Sequence, residues 1–189
     1  MIEQNEMVTT LVDVSERLHS LSIDYMVTGS FAMATYVTAR TTMDIDIVLE
    51  IKSSDATRFE RRFAGDYYVT TSSIVRAFER ESMFNIVNNS TLVKVDCIVK
   101  KKDRFEIEMF ERRRRAKIGA TEFWVISKED LILSKLRWAS ASHSERQLDD
   151  ILKLLESGAD QAFLSDMVGK MDLIHVWQAF EEWKIRVAK

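Results

Sequence analysis

Residues 26–51 read MVTGSFAMATYVTARTTMDIDIVLEI, and the reading of this stretch decides the fold. Two carboxylates, Asp44 and Asp46, stand one residue apart in a run of apolar and β-branched residues. Side chains at i and i+2 of a strand point to one face. Asp44 and Asp46 therefore share a face, and Met43, Ile45 and Ile47 share the other. Like charges this close repel, and a buried charge is costly unless it is paired or metal-bound. A positive partner is expected between them.

Upstream lies Gly29-Ser30, at the end of the strand-like "IDYMVTG". A glycine there permits a tight turn and close approach of a ligand. A helix opening at Ser30, over "SFAMATYV", would turn free N–H groups outward, an arrangement suited to phosphate. Alone, such a pair means little. Downstream, Asp96 in "TLVKVDCIV" is another lone acid in an apolar strand, sharing a face with Lys94 and Ile98. If the two acidic strands are neighbours, three carboxylates converge. A hard cation such as Mg²⁺ prefers oxygen ligands and is often held by carboxylates together with substrate phosphates. Three carboxylates can hold two such ions across a phosphoryl displacement. Without Gly29-Ser30 and Asp96, the Asp pair would read as solvent-facing acids on an edge strand; the ordered set favours the metal site.

Working outward, Met7, Leu11, Val14 and Leu18 form one apolar stripe of an opening helix. "SSDATRFERRF" reads as a helix with Ser54 or Asp55 as N-cap. "DYYVT", "MFNIVNN" and "TLVKVDCIV" read as strands, with a helical "SSIVRAFER" between the first two. Residues 100–127 are ambiguous, a helix and then a hairpin turning at Gly119. From Ser127 the chain reads as helical. "SKED" is a capping box of Ser127 and Asp130. The next helix carries Leu148, Ile151, Leu152 and Leu155 as its apolar face and stops at Gly158. One further helix is built around Phe163, Leu164 and Met167, and another around Leu173, Val176, Trp177, Phe180 and Trp183. The fold class expected is α+β (mixed α/β): a mixed-sheet domain over residues 1–127, then a helical region over 128–189 packed on it.

The bulk numbers set limits. At 189 residues, with 46% hydrophobic and 30% charged side chains, the chain suits a globular domain with a real core. A net charge of −3 gives no global nucleic-acid signature. The one cysteine, Cys97, forms no internal disulfide and reads as a small buried hydrophobe facing away from Asp96. Neither a signal peptide nor a membrane span is evident, so a cytoplasmic setting is expected. His19, His143 and His175 show no metal-ligand spacing.

"TGSFAMATYVTARTTMDIDIVLEI" resembles the signature of the DNA-polymerase-β-like nucleotidyltransferase superfamily: Gly-[Gly/Ser], a spacer, then Asp-x-[Asp/Glu] among apolar residues. Within it, "ARTTMDIDIV" is similar to the Arg-x-Thr-x-Asp-x-Asp form of the AbiEii-type and minimal nucleotidyltransferases, through Arg40, Thr42, Asp44 and Asp46. "VISKEDLILSKLRW" and "RQLDDILKLL" resemble later segments, so the likeness spans about Tyr25 to Leu155. Thr28, where the superfamily prefers an apolar residue, and Ser30, in place of a second glycine, depart from the pattern without removing an acid.

The resemblance implies an enzyme that moves a nucleoside monophosphate from an NTP such as ATP to a hydroxyl on RNA, a protein or a small molecule. It implies Asp44, Asp46 and Asp96 as catalytic metal ligands, with Asp96 also receiving the acceptor's proton. Gly29 and Ser30 would hold the triphosphate, joined by Arg40, Thr42 and Lys135. Arg40 reads equally as a phosphate ligand or an ordinary ion-pair partner, and Lys135 as snorkelling to solvent or reaching phosphates. Arg146 and Asp150, four apart, read as a surface pair or as groups near the site. The resemblance also suggests a toxin–antitoxin or phage-defence setting with a cognate antitoxin. The basic runs "KKKDR" and "ERRRRAK" read as a solvated face or as a groove for tRNA or another polyanion. The C-terminal aromatic stripe reads as core or as a homo-oligomer or partner interface. Two other functions stay open: a non-catalytic Mg-NTP-binding sensor or partner module, and an antibiotic-modifying nucleotidyltransferase.

Overall fold

The computed structural model describes residues 4–38, 42–119, 121–142 and 144–187. The described chain divides into two compact units, one running to Ala32 and from Thr42 to Ile126, the other taking in residues 33–38 and everything from Ser127.

The first unit is built on a seven-stranded mixed sheet. Its strands are β1 (Tyr25–Thr28), β2 (Asp44–Leu49), β3 (Tyr67–Tyr68), β4 (Met83–Asn88), β5 (Lys94–Val99), β6 (Arg114–Ile118) and β7 (Thr121–Val125). Their order is β3-β4-β5-β2-β1-β7-β6. β2 runs parallel to β5 and antiparallel to β1, and β1 runs parallel to β7. This is the mixed α/β class that the sequence predicts. Ile45, Ile47, Val95 and Cys97 are all buried on one face, the core face.

Helices α1 (Gln4–Ser20), α2 (Gly29–Met33), α3 (Ala56–Phe63), α4 (Thr71–Glu79) and α5 (Arg104–Glu111) accompany these strands. The predicted stripe of α1 is realised, with Met7, Leu11, Val14 and Leu18 all buried. α2 is shorter than the sequence suggests. Five residues are helical, and residues 34–36 then form turns. Residues 53–55 form a 3₁₀ turn before α3; Asp55 stands at the N-cap position of α3 as expected, but its carboxylate makes no cap bond there and accepts instead from the Lys52 backbone N–H at 2.9 Å. The ambiguous segment resolves into α5 followed by the β6–β7 hairpin, with Gly119 at φ +61° in its turn.

The second unit holds α6 (Lys128–Ser142), α7 (Glu145–Glu156), α8 (Gln161–Lys170) and α9 (Ile174–Val187), with α6 against α7, α8 and α9. Ser127 caps α6 as expected: its Oγ accepts from the Asp130 backbone N–H at 3.2 Å and donates to Asp130 Oδ2 at 2.6 Å. Gly158 ends α7 at φ +84°. The face of α7 differs from expectation. Its buried residues are Gln147, Asp150, Ile151 and Leu154, while Leu148, Leu152 and Leu155 are half-exposed. Along α9 the Phe180 and Trp183 rings stack and Trp177 lies tilted against Phe180; Phe180 and Trp183 are buried. Among the described residues, no helix is long and apolar enough to cross a membrane.

Candidate functional site

The acids of the first unit meet because of strand register. In the parallel β2–β5 pair, Asp46 stands opposite Asp96 and Asp44 opposite Lys94. In the antiparallel β1–β2 pair, Thr28 stands opposite Asp46. Directly opposite residues share a face, so Thr28, Asp46 and Asp96 form one row across three strands. β2 is interior to the sheet, flanked by β5 and β1, so the edge-strand reading of the Asp pair does not apply.

Gly29 carries the chain away from the end of β1 at φ +67°, a conformation that glycine adopts without steric cost. A methyl group added at Gly29 would overlap Asp46 Oδ2 and lie 2.7 Å from its Cγ. The turn therefore needs glycine twice, for its dihedral and for the carboxylate pressed against it. The Gly29-Ser30 turn and the acid strand are thus one structure, although residues 31–43 separate them in sequence. Ser30 is half-buried on the first turn of α2.

Asp44 is oriented by Thr42, whose Oγ1 donates to Asp44 Oδ1 at 2.8 Å. Arg40 lies outside the described residues. Asp96 is buried at 6% exposure. Its Oδ2 accepts from Lys94 Nζ at 2.9 Å, and its Oδ1 is buried with no hydrogen-bond partner among the described residues. Lys94 Nζ also lies 3.8 Å from Asp44 Oδ2. The hydrogen bond to Asp96 raises the Lys94 pKa against the opposing effect of burial, and the charges of Asp96, Asp44 and Asp46 add to the rise. The positive partner that the sequence demands is therefore present in the chain itself. Period-two alternation put Lys94 on this face, but no sequence signal linked it to Asp44 across the ladder.

The donor set is all oxygen, which suits a hard cation, and the orphaned Asp96 Oδ1 is an acceptor in need of a positive partner. These features fit a divalent ion. Among the described residues, though, no three His, Cys, Asp or Glu side chains gather closely enough to enclose one. The ammonium of Lys94 holds the acids in the arrangement seen. Cys97, on the other side of β5, is 1% exposed. Burial first, and the Asp96 charge second, push its thiol far above the usual range.

Lys135 lies in the second unit, on α6, and is 4% exposed, so it does not snorkel to solvent. Its Nζ donates to Asp150 Oδ2 at 2.7 Å and to Gln147 Oε1 at 3.2 Å. Asp150 is thus the buried partner of Lys135 rather than half of a surface pair with Arg146, which is exposed. The basic run at 112–117 falls largely on β6, the last strand in the sheet order, where Arg114, Arg115 and Lys117 are exposed.

No family model and no curated protein sequence matches the chain. Solved structures do match in fold. A nucleotidyltransferase-like antigenic protein from Paracoccidioides brasiliensis is 19% identical, with a TM-score of 0.58 over 91% of this chain and 92% of that one. A nucleotidyltransferase-type protein from Thermotoga maritima is 18% identical, with a TM-score of 0.54 over 77% of this chain and 92% of that one. A lincosamide antibiotic adenylyltransferase with lincomycin bound is 13% identical, with a TM-score of 0.53 over 81% of this chain and 96% of that one. At these identities the likeness is one of fold.

Proposed function

We propose that this chain is a metal-dependent nucleotidyltransferase, moving a nucleoside monophosphate from an NTP such as ATP to an acceptor hydroxyl. The observation that carries the reading is the register that sets Asp46 beside Asp96 while pressing Asp46 against the Gly29 turn. The fold neighbours named as nucleotidyltransferases and adenylyltransferases support the same reading.

In this reading the backbone and hydroxyl at Gly29-Ser30 hold the triphosphate. Thr42 acts through Asp44, keeping its carboxylate turned, and Arg40 is a phosphate ligand. Asp44, Asp46 and Asp96 would hold Mg²⁺, two ions in all, whose charge offsets that developing on the phosphoryl oxygens. The acceptor oxygen bonds to the α-phosphorus, the bond from that phosphorus to the pyrophosphate oxygen breaks, and pyrophosphate leaves. The acceptor's proton passes to Asp96, whose Oδ1 has no competing donor among the described residues.

RNA is the acceptor class favoured, because Arg114, Arg115 and Lys117 give β6 an exposed cationic edge. A small hydroxylated compound is the second reading, favoured by the antibiotic adenylyltransferase among the fold neighbours. The Arg40, Thr42, Asp44 and Asp46 pattern supports an AbiEii-type or minimal subgroup and, through it, a toxin–antitoxin or phage-defence setting. A reducing, cytoplasmic home goes with the single buried thiol.

The test is incubation with Mg²⁺, each α-phosphate-labelled NTP in turn and a lysate rich in tRNA, with an Asp44→Ala/Asp46→Ala variant alongside. Label should enter RNA with the native chain and not with the variant. Label entering a small molecule would select the second acceptor. Equal label with both proteins would remove the acids from the reaction.

A further inference from the structure

Lys94 is a cation built into the acid cluster. Alternation along β5 puts it on the face of Asp96, and register puts it opposite Asp44. Its Nζ bonds one oxygen of Asp96 and approaches one oxygen of Asp44, at 2.9 and 3.8 Å. The side chain is 40% exposed, against 9% for that of Asp96, so the ammonium can leave toward water while the carboxylate cannot. Among the described residues, the atom of this pair left without a partner is on the carboxylate, not on the lysine. No reading of the sequence gives Lys94 a role.

Resting on the nucleotidyltransferase reading above, we infer that Lys94 is a competitive internal counter-ion: a divalent cation binds by displacing its ammonium from Asp96 rather than by adding to an open site. The ion and the ammonium compete for the same carboxylate group, and two positive charges that close oppose each other. Metal alone therefore binds weakly. The displaced ammonium stays tethered to the same face of β5, where it is available to an anion. The triphosphate supplies one, so metal and triphosphate each tighten the binding of the other, as linkage requires.

The experiment is a Mn²⁺ titration of the full chain, followed by electron paramagnetic resonance, with and without tripolyphosphate. The proteins are the native chain, Lys94→Met, Lys94→Arg, and Lys94→Met with Asp96→Asn. Without tripolyphosphate, Lys94→Met should bind Mn²⁺ about tenfold tighter than the native chain, the order of effect that one adjacent charge has on an ionic equilibrium. Lys94→Arg, which keeps the charge, should bind as the native chain does. Adding Asp96→Asn should abolish the gain. Tripolyphosphate should tighten Mn²⁺ binding to the native chain more than to Lys94→Met, since phosphate oxygens ligate the ion in both and only the native chain also offers the freed ammonium. Circular dichroism checks folding, and Lys94→Gln replaces the methionine variant if that one is misfolded. Equal or weaker binding by Lys94→Met overturns the inference and leaves the nucleotidyltransferase reading standing. Absence of Mn²⁺ binding in every protein overturns both.

Discussion

Two charged clusters in the first unit make an instructive contrast. In one, Arg17 on α1 is 8% exposed. Its Nε donates to Asp13, its Nη1 to the Arg62 carbonyl at 2.9 Å and its Nη2 to Asp66 at 2.6 Å. The guanidinium lies over the rings of Phe63 and Tyr67, and the Tyr67 hydroxyl donates to Asp13 at 2.7 Å. The nitrogens of Arg17 thus have partners on α1, on α3 and in the loop before β3. In the other cluster, Asp96 is equally buried, yet one of its oxygens has no partner among the described residues and the other relies on a half-exposed lysine. A cluster whose members satisfy one another serves to hold elements together. A buried acceptor without a donor is costly, and here it stands in the same row as Asp46, beside the Gly29 turn. What marks the second cluster as the candidate site is the orphan together with the register that sets Asp96 beside Asp46.

The contrast can be broken or sharpened by substitution. The largest effect on stability is expected in the second unit, where Lys135 and Asp150 form a fully buried ion pair. Lys135→Met should cost about 3–5 kcal/mol in urea unfolding, because Asp150 stays buried without its cation. The Lys135→Met/Asp150→Leu double variant should recover most of that. If it unfolds like the native chain yet binds nucleotide as well, Lys135 is a structural residue alone. Arg17→Ala should cost about 2 kcal/mol, less because Asp13 and Asp66 are reached by water. It should leave Mn²⁺ binding intact, and a loss of Mn²⁺ binding in a folded Arg17→Ala protein would erase the distinction between the clusters. Gly29→Ala should cost about 1–2 kcal/mol for the positive φ. It should also weaken Mn²⁺ binding, since Asp46 must move from the added methyl group. Native-like binding by Gly29→Ala would separate the turn from the acid site.

Much of this was legible in the chain, and the misreadings share a cause. The lone acids in apolar strands were visible because period-two alternation exposes a polar intruder. The α1 stripe, at helical spacing, and the β6–β7 turn, at Gly119, were legible for equally local reasons. The face of α7 was misphased because the apolar pattern drew Leu148, Leu152 and Leu155 inward. Its buried side also holds Gln147 and Asp150, polar residues that Lys135 of α6 makes tolerable there. A partner twelve or more residues away leaves no periodic trace.

The sequence by itself determined the strands, their faces, the acids and the glycine, since each follows from local sterics and the spacing of side chains along one element. The tertiary structure decided which strands are neighbours and in what register. That put Asp46 beside Asp96, laid Asp46 on Gly29 and set Lys94 between Asp44 and Asp96. Those are contacts between distant segments, fixed by hydrogen-bonded ladders and core packing, and such a contact is a property of the folded whole rather than of either segment.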